Sequence, residues 1–367
     1  MSAYDLAVVG GGPAGLAVAL AARQLGLAVV VCEAGEPGRD KACGEGILPD
    51  GVAALAELGV ETSGLGRPFR GIRFADERHA VEADFPGPRG LGVRHSRLHR
   101  TLAEAAEAAG AELRWRCRVE GLAAEGVRAG GGIVAARYIV GADGLASKVR
   151  AWAGLEGATA RRKRFGLRRH FAIAPWSDRV EVYWRDGCEA YVTPVAEDEV
   201  GVAMLWSGEG GRFECLLERF PDLARRLASA PVASRDRGAG PFHRRARGAV
   251  RGRIALVGDA AGYVDAITGE GLALAFREAQ ALASSVAEGG LERYAAEARR
   301  WRRLPETLTR LLLIAERRPR LRRRLFAALE RDPGLFARLL AVHCRAVPAS
   351  RLGVGAAVRL AGVVVGV

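Results

Sequence analysis

Residues 5–15 read Asp-Leu-Ala-Val-Val-Gly-Gly-Gly-Pro-Ala-Gly, a short apolar run that ends in three spaced glycines. The pattern Gly10-x-Gly12-x-x-Gly15 is typical of a strand, a tight turn and a helix that together bind the pyrophosphate of a dinucleotide. The free N–H groups and the positive dipole end of the helix would face that anion. Glu33 ends the next apolar strand, where its carboxylate would accept hydrogen bonds from ribose hydroxyls. The N-terminal segment therefore predicts the first βαβ unit of a dinucleotide-binding fold.

Two later segments repeat the pattern of a short apolar strand followed by glycine. They are Gly141-Ala-Asp-Gly144 and Gly258-Asp259, and a turn over residues 269–271 (Gly-Glu-Gly) follows the second of them. With the N-terminal motif, and in this order, they resemble the FAD-binding pattern of flavin-dependent monooxygenases of the aromatic hydroxylase type (group A) and of geranylgeranyl-reductase-like dehydrogenases. The resemblance covers roughly residues 4–285. It implies that Asp259 binds a ribityl hydroxyl and that the 269–271 turn presents backbone N–H groups to the flavin ring.

Asp143 has two interpretations. In the resembling family, the Asp-Gly segment is associated with the FAD pyrophosphate and with a transient nicotinamide cofactor. Alternatively, Asp143 is a helix cap or turn residue, since aspartate is favoured at both kinds of position. The sequence leaves both open.

The loop over residues 41–46 reads Lys-Ala-Cys-Gly-Glu-Gly. It resembles the Lys-x-Cys-Gly loop of geranylgeranyl-reductase-like flavoproteins, which packs against the isoalloxazine ring. Lys41 or the Cys43 thiol would there tune the charge of the reduced flavin or donate a proton. The plainer alternative is that Cys43 is a small side chain that fills space in a loop.

Residues 93–98 depart from the family pattern. Relatives place an arginine where this chain has His95, and Arg94 and Arg97 flank that position. We expect Arg94 to reach the pyrophosphate instead, and the alternative is a basic helix start.

The segment Tyr191-Val-Thr193-Pro194 resembles a degenerate form of the aromatic-x-x-Phe-Pro segment of the reductase relatives. Tyr191 is therefore a candidate for the substrate side of the flavin. His170 is the candidate titratable base in the same region, although a structural histidine is the alternative.

Together, the residue patterns and the resemblance predict two sets of site residues. The candidate catalytic residues are Lys41, Cys43, Tyr191 and His170. The expected FAD contacts are Gly10, Gly12, Pro13, Ala14, Gly15, Glu33, Ala34, Lys41, Cys43, Gly44, Arg94, Val119, Asp143, Gly258, Asp259, Gly269, Gly271 and Leu272.

The predicted fold is α/β, with a Rossmann-like FAD-binding domain, an inserted antiparallel-sheet substrate domain and C-terminal helices. The FAD-binding domain is expected over residues 1–70, 90–160 and 245–290, and the sheet domain over residues 71–89 and 161–244. Alternating residues in the second region, such as Val-Glu-Val-Tyr-Trp at 180–184, indicate antiparallel strands. Residues 291–367 form a helical, arginine-rich region whose apolar tail is short for a membrane span.

The composition excludes some classes of function. The formal net charge is +13 over 367 residues, a field that attracts nucleic acid, anionic membranes or anionic cofactors. No nucleic-acid-binding motif accompanies this charge. The six cysteines show neither a CxxC pair nor metal-ligand spacing. Without a recognisable signal peptide, we expect a cytoplasmic protein, either free or membrane-associated through its C-terminal basic and apolar segment.

The leading expectation is a single-component NAD(P)H-dependent monooxygenase. It would hydroxylate a hydrophobic aromatic or polyketide-type molecule through a flavin C4a-hydroperoxide. Since no second glycine motif opens another dinucleotide domain, NAD(P)H would bind transiently, or a separate electron-donor protein would reduce the flavin. One alternative is a geranylgeranyl-reductase-like enzyme that reduces the C=C bonds of an isoprenoid. The other is a non-catalytic flavin-binding protein of the membrane surface.

Overall fold

The computed structural model describes residues 4–158, 162–208 and 211–352. Its strands are β1 (Tyr4–Val9), β2 (Val29–Cys32), β3 (Gly46–Ile47), β4 (Arg67–Phe69), β5 (Gly71–Ala75), β6 (Ala80–Asp84), β7 (Gly90–Gly92), β8 (Glu112–Arg114), β9 (Val119–Leu122), β10 (Gly126–Ala129), β11 (Gly132–Gly141), β12 (Arg164–Phe171), β13 (Val180–Arg185), β14 (Cys188–Ala196), β15 (Glu199–Ser207), β16 (Arg237–Ala239), β17 (Val250–Arg251) and β18 (Ile254–Leu256). Its α-helices are α1 (Pro13–Gln24), α2 (Pro49–Glu57), α3 (His95–Ala108), α4 (Lys148–Trp152), α5 (Phe213–Leu217), α6 (Pro221–Leu227), α7 (Gly271–Ala287), α8 (Glu292–Arg317), α9 (Pro319–Arg331) and α10 (Pro333–His343). Short 3₁₀ helices span Gly258–Ala261 and Ala349–Leu352.

The first sheet has the order β17-β18-β11-β1-β2-β8, with parallel neighbours except for β17 and β18, and the antiparallel strands β10 and β9 extend from β11. Its central strands are apolar along their length because helices cover one face and the β9–β10–β11 hairpin with α4 covers the other. The carboxyl ends of β1, β2, β11 and β18 meet at one edge. Ligands of open parallel sheets bind at this edge, and all three glycine motifs lie there.

The second sheet has the order β16-β12-β15-β14-β13-β5-β6. Neighbouring strands are antiparallel except for β13 and β5, which run parallel. The alternation read at residues 180–184 corresponds to β13, which pairs antiparallel with β14 as expected. The α/β fold class is confirmed.

The C-terminal helices α8, α9 and α10 close over the apolar face of the second sheet. Phe326 of α9 lies 6.1 Å from Phe74 and 5.9 Å from Trp184 between ring centroids, and Phe336 of α10 lies 5.2 Å from Phe74. These contacts join the helices and the sheet in one core. Within the described part of the chain, no helix is both long and apolar enough to cross a bilayer. The apolar tail beyond Leu352 lies outside the described residues.

Candidate functional site

The glycine turn between β1 and α1 is packed too closely for any side chain at two positions. Gly10 has a φ of 105°, and a Cβ there would lie 2.5 Å from the carbonyl oxygen of Ala142. A Cβ at Gly15 would lie 1.9 Å from the carbonyl oxygen of Gly10. These contacts bring the loop after β11 against the turn, and they leave the N-terminus of α1 facing the sheet edge. An anion at that edge would be stabilised by the helix dipole.

The Glu33 carboxylate is fixed beside this turn. Its Oε2 accepts the N–H of Gly11 and its Oε1 accepts the N–H of Gly35, both at 2.7 Å. Each carboxylate oxygen can accept a further hydrogen bond, so the geometry leaves capacity for a ribose hydroxyl. The neighbouring Ala34 is exposed and Val119 is buried at the start of β9.

A histidine that sequence reasoning missed also holds the turn. His99 Nδ1 accepts the N–H of Gly38 at 3.0 Å, so its Nε2 carries the hydrogen that is donated to the Gly11 carbonyl at 2.7 Å. Its ring lies 5.7 Å from that of Trp115, and a Cβ at Gly11 would lie 2.8 Å from the Glu33 Cβ and 3.4 Å from the Trp115 ring. The basic residues around His99 in the sequence do not indicate this role.

Arg94 does not take the place predicted for it. Its Nη1 donates to Glu199 Oε1 at 2.6 Å, and the residue is not among those that line the cavity described below. His95 lines that cavity instead. Burial, together with the nearby Lys41 ammonium, lowers the pKa of His95 to about 4. Arg94 is thus held by Glu199, and the neighbouring His95, which is neutral at physiological pH, lies at the cavity wall.

The Gly258–Asp259 turn is held from the C-terminal region. The N–H of Gly258 donates to Glu278 Oε2 at 2.9 Å. Arg302 of α8 donates to the carbonyls of Gly258 at 2.7 Å and Gly262 at 2.6 Å, and it pairs with Glu278 at 2.6 Å. Burial raises the pKa of the Asp259 carboxyl, and Arg302 opposes this effect. A buried ion pair thus supports the turn that presents Asp259 to the cavity.

Asp143 accepts hydrogen bonds from the first turn of α4, whose N-cap residue is Ser147. Its Oδ1 accepts from the Ser147 hydroxyl at 2.5 Å, and its Oδ2 accepts the N–H groups of Lys148 and Val149 at 2.7 and 3.1 Å. This arrangement matches the second of its two interpretations, although Asp143 also lines the cavity. Arg150, buried behind it, donates to the carbonyls of Leu145 and Ala260 at 3.0 Å and so ties the second motif to the third.

The loop over residues 41–46 lies between the glycine turn and the second sheet. The Lys41 ammonium is 3.7 Å from the position of a Cβ at Gly12, so its charge lies over the turn. Arg168 of β12 donates to the Lys41 carbonyl, and Thr193 of β14 donates to the Gly44 carbonyl, both at 2.8 Å. Burial raises the pKa of the Cys43 thiol to about 12, with a further contribution from Glu45. The thiol therefore keeps its proton at neutral pH.

The two candidates from the second sheet differ in position. His170 is fully buried, and its Nε2 lies 2.5 Å from Glu45 Oε2. It does not line the cavity, so the geometry places it in a structural network and not where a substrate base would act. Tyr191 does line the cavity, and its hydroxyl donates to the Ile267 carbonyl at 2.8 Å. Burial raises the pKa of Tyr191 well above its ordinary value.

The turn before α7 packs against the end of α10. Gly269 has a φ of 70° and lines the cavity together with Gly271 and Leu272. Glu270 between them is buried, and burial raises its pKa. His343 at the end of α10 lies 3.4 Å from the Glu270 carboxylate and 3.0 Å from the Thr268 carbonyl. Gly271, the first residue of α7, lies at the cavity wall.

One cavity of about 910 Å³ joins these parts. Of the predicted residues, its polar end is lined by Gly12, Pro13, Ala14, Lys41, Cys43, Gly44, Asp143, Gly258, Asp259, Gly269, Gly271 and Leu272, and Tyr191 also lines the cavity. The far end is an apolar chamber whose walls include Phe74, Val182, Trp184, Phe326, Leu329 and Phe336. Every described lining residue that α8, α9 and α10 contribute is Leu, Phe or Ala, apart from His343.

Residues 3–213 match the protein family described as the FAD binding domain. The chain belongs to this family. It is an FAD-dependent oxidoreductase, as the three motifs predicted.

The curated relatives of this flavoprotein include proteins named as reductases and one named as a monooxygenase. It is 45% identical over 86 residues to menaquinone reductase of Mycolicibacterium smegmatis, a match that covers 23% of this chain and 21% of the relative. It is 28% identical over 339 residues to digeranylgeranylglycerophospholipid reductase of Methanocella arvoryzae, covering 81% of this chain and 83% of the relative. It is 34% identical over 171 residues to 6-methylpretetramide 4-monooxygenase of Streptomyces rimosus, covering 41% of each.

The flavoprotein also shares its fold with solved structures. A flavoprotein/dehydrogenase from Cytophaga hutchinsonii superimposes with a TM-score of 0.83 at 19% identity, covering 98% of this chain and 99% of the other. At this identity the similarity establishes the fold alone.

The residues at the polar end of the cavity fit FAD. The N-terminus of α1 and the Lys41 ammonium supply positive charge for the pyrophosphate, and the close-packed glycines leave no side chain in its way. Glu33 would hold the adenosine ribose and Asp259 the ribityl chain. The N-terminus of α7 would stabilise negative charge on the reduced flavin.

Proposed function

We propose that this oxidoreductase reduces C=C bonds in a long apolar, polyprenyl-type substrate. The observation that carries the proposal is the apolar chamber, which continues directly from the Lys41–Gly46 loop at the cofactor end of the same cavity. A chain of linked isoprene units presents only hydrocarbon surface, and such surface is stabilised by burial among Leu, Phe and Trp side chains. The relatives named as digeranylgeranylglycerophospholipid and menaquinone reductases support this substrate class.

Residues at one end of the cavity would bind the cofactor, and residues at the other end would bind the substrate. Lys41 and the glycine turn would hold the pyrophosphate, and the chamber walls would place a double bond beside the loop and exclude water. FAD supplies a hydride when it is bound and reduced. Reduction of a C=C bond also requires one proton. The Cys43 sulfur holds a proton at neutral pH and lines the cavity, so it is the proposed donor.

The donor of electrons is a separate part of the proposal. We expect NAD(P)H to bind transiently at the open side of the cofactor site, where Arg39 and Arg237 line the cavity. Guanidinium groups suit the phosphates of a nicotinamide dinucleotide. A separate electron-donor protein is the other source of electrons, and direct mixing of the purified protein with NADH or NADPH distinguishes the two.

Hydroxylation by a monooxygenase is the second candidate. It is favoured by the relative named 6-methylpretetramide 4-monooxygenase, which matches 41% of this chain. The same apolar chamber would then hold an aromatic or polyketide-type molecule. This reaction differs from the first in its need for O₂.

Anaerobic turnover separates the two candidates. The FAD-loaded protein is reduced with NADPH, NADH or dithionite and mixed with a geranylgeranyl lipid without oxygen, and the products are analysed by mass spectrometry. We expect flavin reoxidation together with the addition of two hydrogen atoms to the lipid. A product that appears only in air and carries one added oxygen atom would support the monooxygenase. Cys43→Ser is expected to retain FAD and to lose most of the anaerobic turnover, and Cys215→Ser is the matched control because Cys215 is exposed.

A further inference from the structure

Helix α8 carries two large apolar side chains on its outer face. Leu311 is 57% exposed and Ile314 is 41% exposed. Residues three apart lie on the same side of a helix, so the two side chains form one apolar patch. The other large exposed apolar residues in the described part of the chain, at positions 25, 133, 152 and 232, lie singly on other elements.

Exposed arginines follow this patch along the chain, and Arg317 and Arg318 lie three and four residues after Ile314. Arg317, Arg318, Arg320 and Arg324 are exposed at the end of α8 and on α9. Between residues 307 and 329, the sequence contains seven arginines, of which Arg322 is buried and Arg310 pairs with Glu306, and a single acidic residue, Glu316. Glu316 is buried and lies 3.2 Å from Arg164, so it does not neutralise the surface. We call the exposed side chains of Leu311, Ile314, Arg317, Arg318, Arg320 and Arg324 the α8–α9 surface.

The α8–α9 surface adjoins the substrate chamber. Leu311 is exposed and also lines the cavity, and Leu308 and Leu312 on the same helix line it as well. Leu325 of α9 contributes to the same wall. The apolar chamber therefore reaches the molecular surface beside the arginines.

We propose that the α8–α9 surface docks on an anionic phospholipid bilayer and that the apolar substrate enters the chamber from the bilayer beside Leu311. The proposal rests on the proposed function for the identity of the substrate, but docking itself does not require turnover. Arginines beside an apolar patch complement anionic headgroups above hydrocarbon, the arrangement of interfacial helices. A second copy of the chain would bring like charges together. A nucleic acid would leave the two apolar side chains without apolar contacts.

Vesicle co-sedimentation of the full-length, FAD-loaded protein tests docking. The probe is a set of vesicles of phosphatidylcholine alone or mixed with phosphatidylglycerol. We expect binding only to the anionic vesicles, and weaker binding as salt is raised. The triple variant Arg317→Glu/Arg320→Glu/Arg324→Glu is expected to bind at least about a hundredfold more weakly, because each arginine near an anionic surface contributes appreciably. Ile314→Ser is expected to weaken binding several-fold.

Matched variants at other exposed positions test whether any change of charge or loss of an apolar side chain is enough to weaken vesicle binding. Arg89→Glu/Arg128→Glu/Arg225→Glu makes the same charge change at exposed positions elsewhere, and Ile133→Ser removes an apolar side chain that is 55% exposed on the β10–β11 hairpin. Both are expected to bind like the parent. Equal binding to neutral vesicles, or surface variants that bind like their controls, would overturn the proposal. Loss of binding only on truncation after residue 352 would assign it to the tail instead.

Two assays keep docking and turnover apart. With a geranylgeranyl lipid dispersed in detergent, the triple arginine variant is expected to turn over like the parent. With the lipid embedded in anionic vesicles, its turnover is expected to fall with its binding. Vesicle binding without any turnover of prenyl lipids would contradict the proposed function and leave docking intact.

Discussion

Glu45 and His170 meet where the loop over residues 41–46 packs on β12, with Glu45 Oε2 lying 2.5 Å from His170 Nε2 and both side chains buried. Arg168 Nη1 lies 2.9 Å from the other ring nitrogen, Nδ1. A guanidinium can only donate, so Nδ1 accepts and Nε2 carries the hydrogen that Glu45 receives. Glu45 Oε1 accepts the N–H of His95 at 2.8 Å. Glu45 thus links the loop over residues 41–46 to β12 through His170 and to α3 through His95.

Replacement of Glu45 by glutamine is expected to displace this loop. A carboxamide keeps the size but cannot accept from both His170 and His95 N–H, so one buried donor loses its partner. We expect the free energy of unfolding to fall by about 3 kcal/mol, with a changed flavin absorption spectrum because the loop adjoins the cofactor end of the cavity. Chemical denaturation and absorbance spectroscopy measure the two effects.

Glu199→Gln is the control for Glu45→Gln. Glu199 is likewise a carboxylate with a close partner, Arg94 at 2.6 Å. Unlike Glu45 and His170, these two side chains are partly exposed, Glu199 at 19% and Arg94 at 26%. We expect a loss of about 0.5 kcal/mol and an unchanged spectrum. Equal effects of the two substitutions would show that the Glu45–His170 contact has no special role in placing the loop.

The Cys43 thiol is expected to resist alkylation at neutral pH. Its pKa of about 12 leaves little thiolate, which is the reactive form. Iodoacetamide labelling of the native protein, followed by peptide mass spectrometry, gives the rate at each cysteine against pH. We expect the Cys43 rate to keep rising throughout the alkaline range in which the fold persists. The exposed Cys215 reports reagent activity in the same sample. A rate at Cys43 that levels off near neutral pH would contradict the protonated donor.

His95 is expected to make stability depend on pH on the acid side. Its folded pKa is lowered from 6.5 to about 4. Between these values the unfolded chain binds a proton that the folded chain does not, so stability is complete above pH 6.5 and is lost as the pH falls towards 4. The loss attributable to this residue is about 3 kcal/mol. Denaturant titrations of the parent and His95→Gln across this window should diverge by that amount. Equal pH slopes for the parent and His95→Gln would contradict a histidine that is neutral in the folded state.

The sequence predicted the parts of the site that depend on local chain geometry. Gly10 and Gly15 have to be glycines because neighbouring backbone fills the space of a Cβ. The spacing of these two glycines is therefore visible in the sequence itself. The same holds for the strand endings that deliver Glu33 and Asp259. These positions lie at the carboxyl ends of parallel strands, where the fold always gathers its ligands.

The residues that hold these motifs in place could not be read from the sequence. Arg302 is one of many arginines in the C-terminal third, and nothing local distinguishes it from the exposed Arg303 beside it. His99 and Arg168 likewise act through partners far away in the chain. Only its position in the chain distinguishes Arg94 from its neighbours, and in the structure it pairs with Glu199. Tertiary contacts decide these roles, and a single sequence carries no signal for them.

A substitution of Arg302 tests directly how the C-terminal region supports the FAD site. Arg302→Leu leaves Glu278 as an unpaired buried carboxylate and removes the donors to the Gly258 and Gly262 carbonyls. We expect a loss of about 4 kcal/mol in unfolding free energy, and weaker FAD binding because the Asp259 turn loses its support. Titration of the apoprotein with FAD and denaturation of the holoprotein measure the two effects. Arg303→Leu, one position along on the exposed side, is expected to change neither.

A double-mutant cycle separates the unpaired charge from the lost hydrogen bonds. In Arg302→Leu/Glu278→Leu neither member of the buried ion pair remains, so this variant should be less destabilised than the sum of the two single variants, by more than about 1 kcal/mol. FAD binding should not recover, since the carbonyls of the turn still lack their donors. Strict additivity would mean that Arg302 and Glu278 act independently. Recovery of FAD affinity in the double variant would mean that the charge alone, and not the placement of the turn, determines cofactor binding.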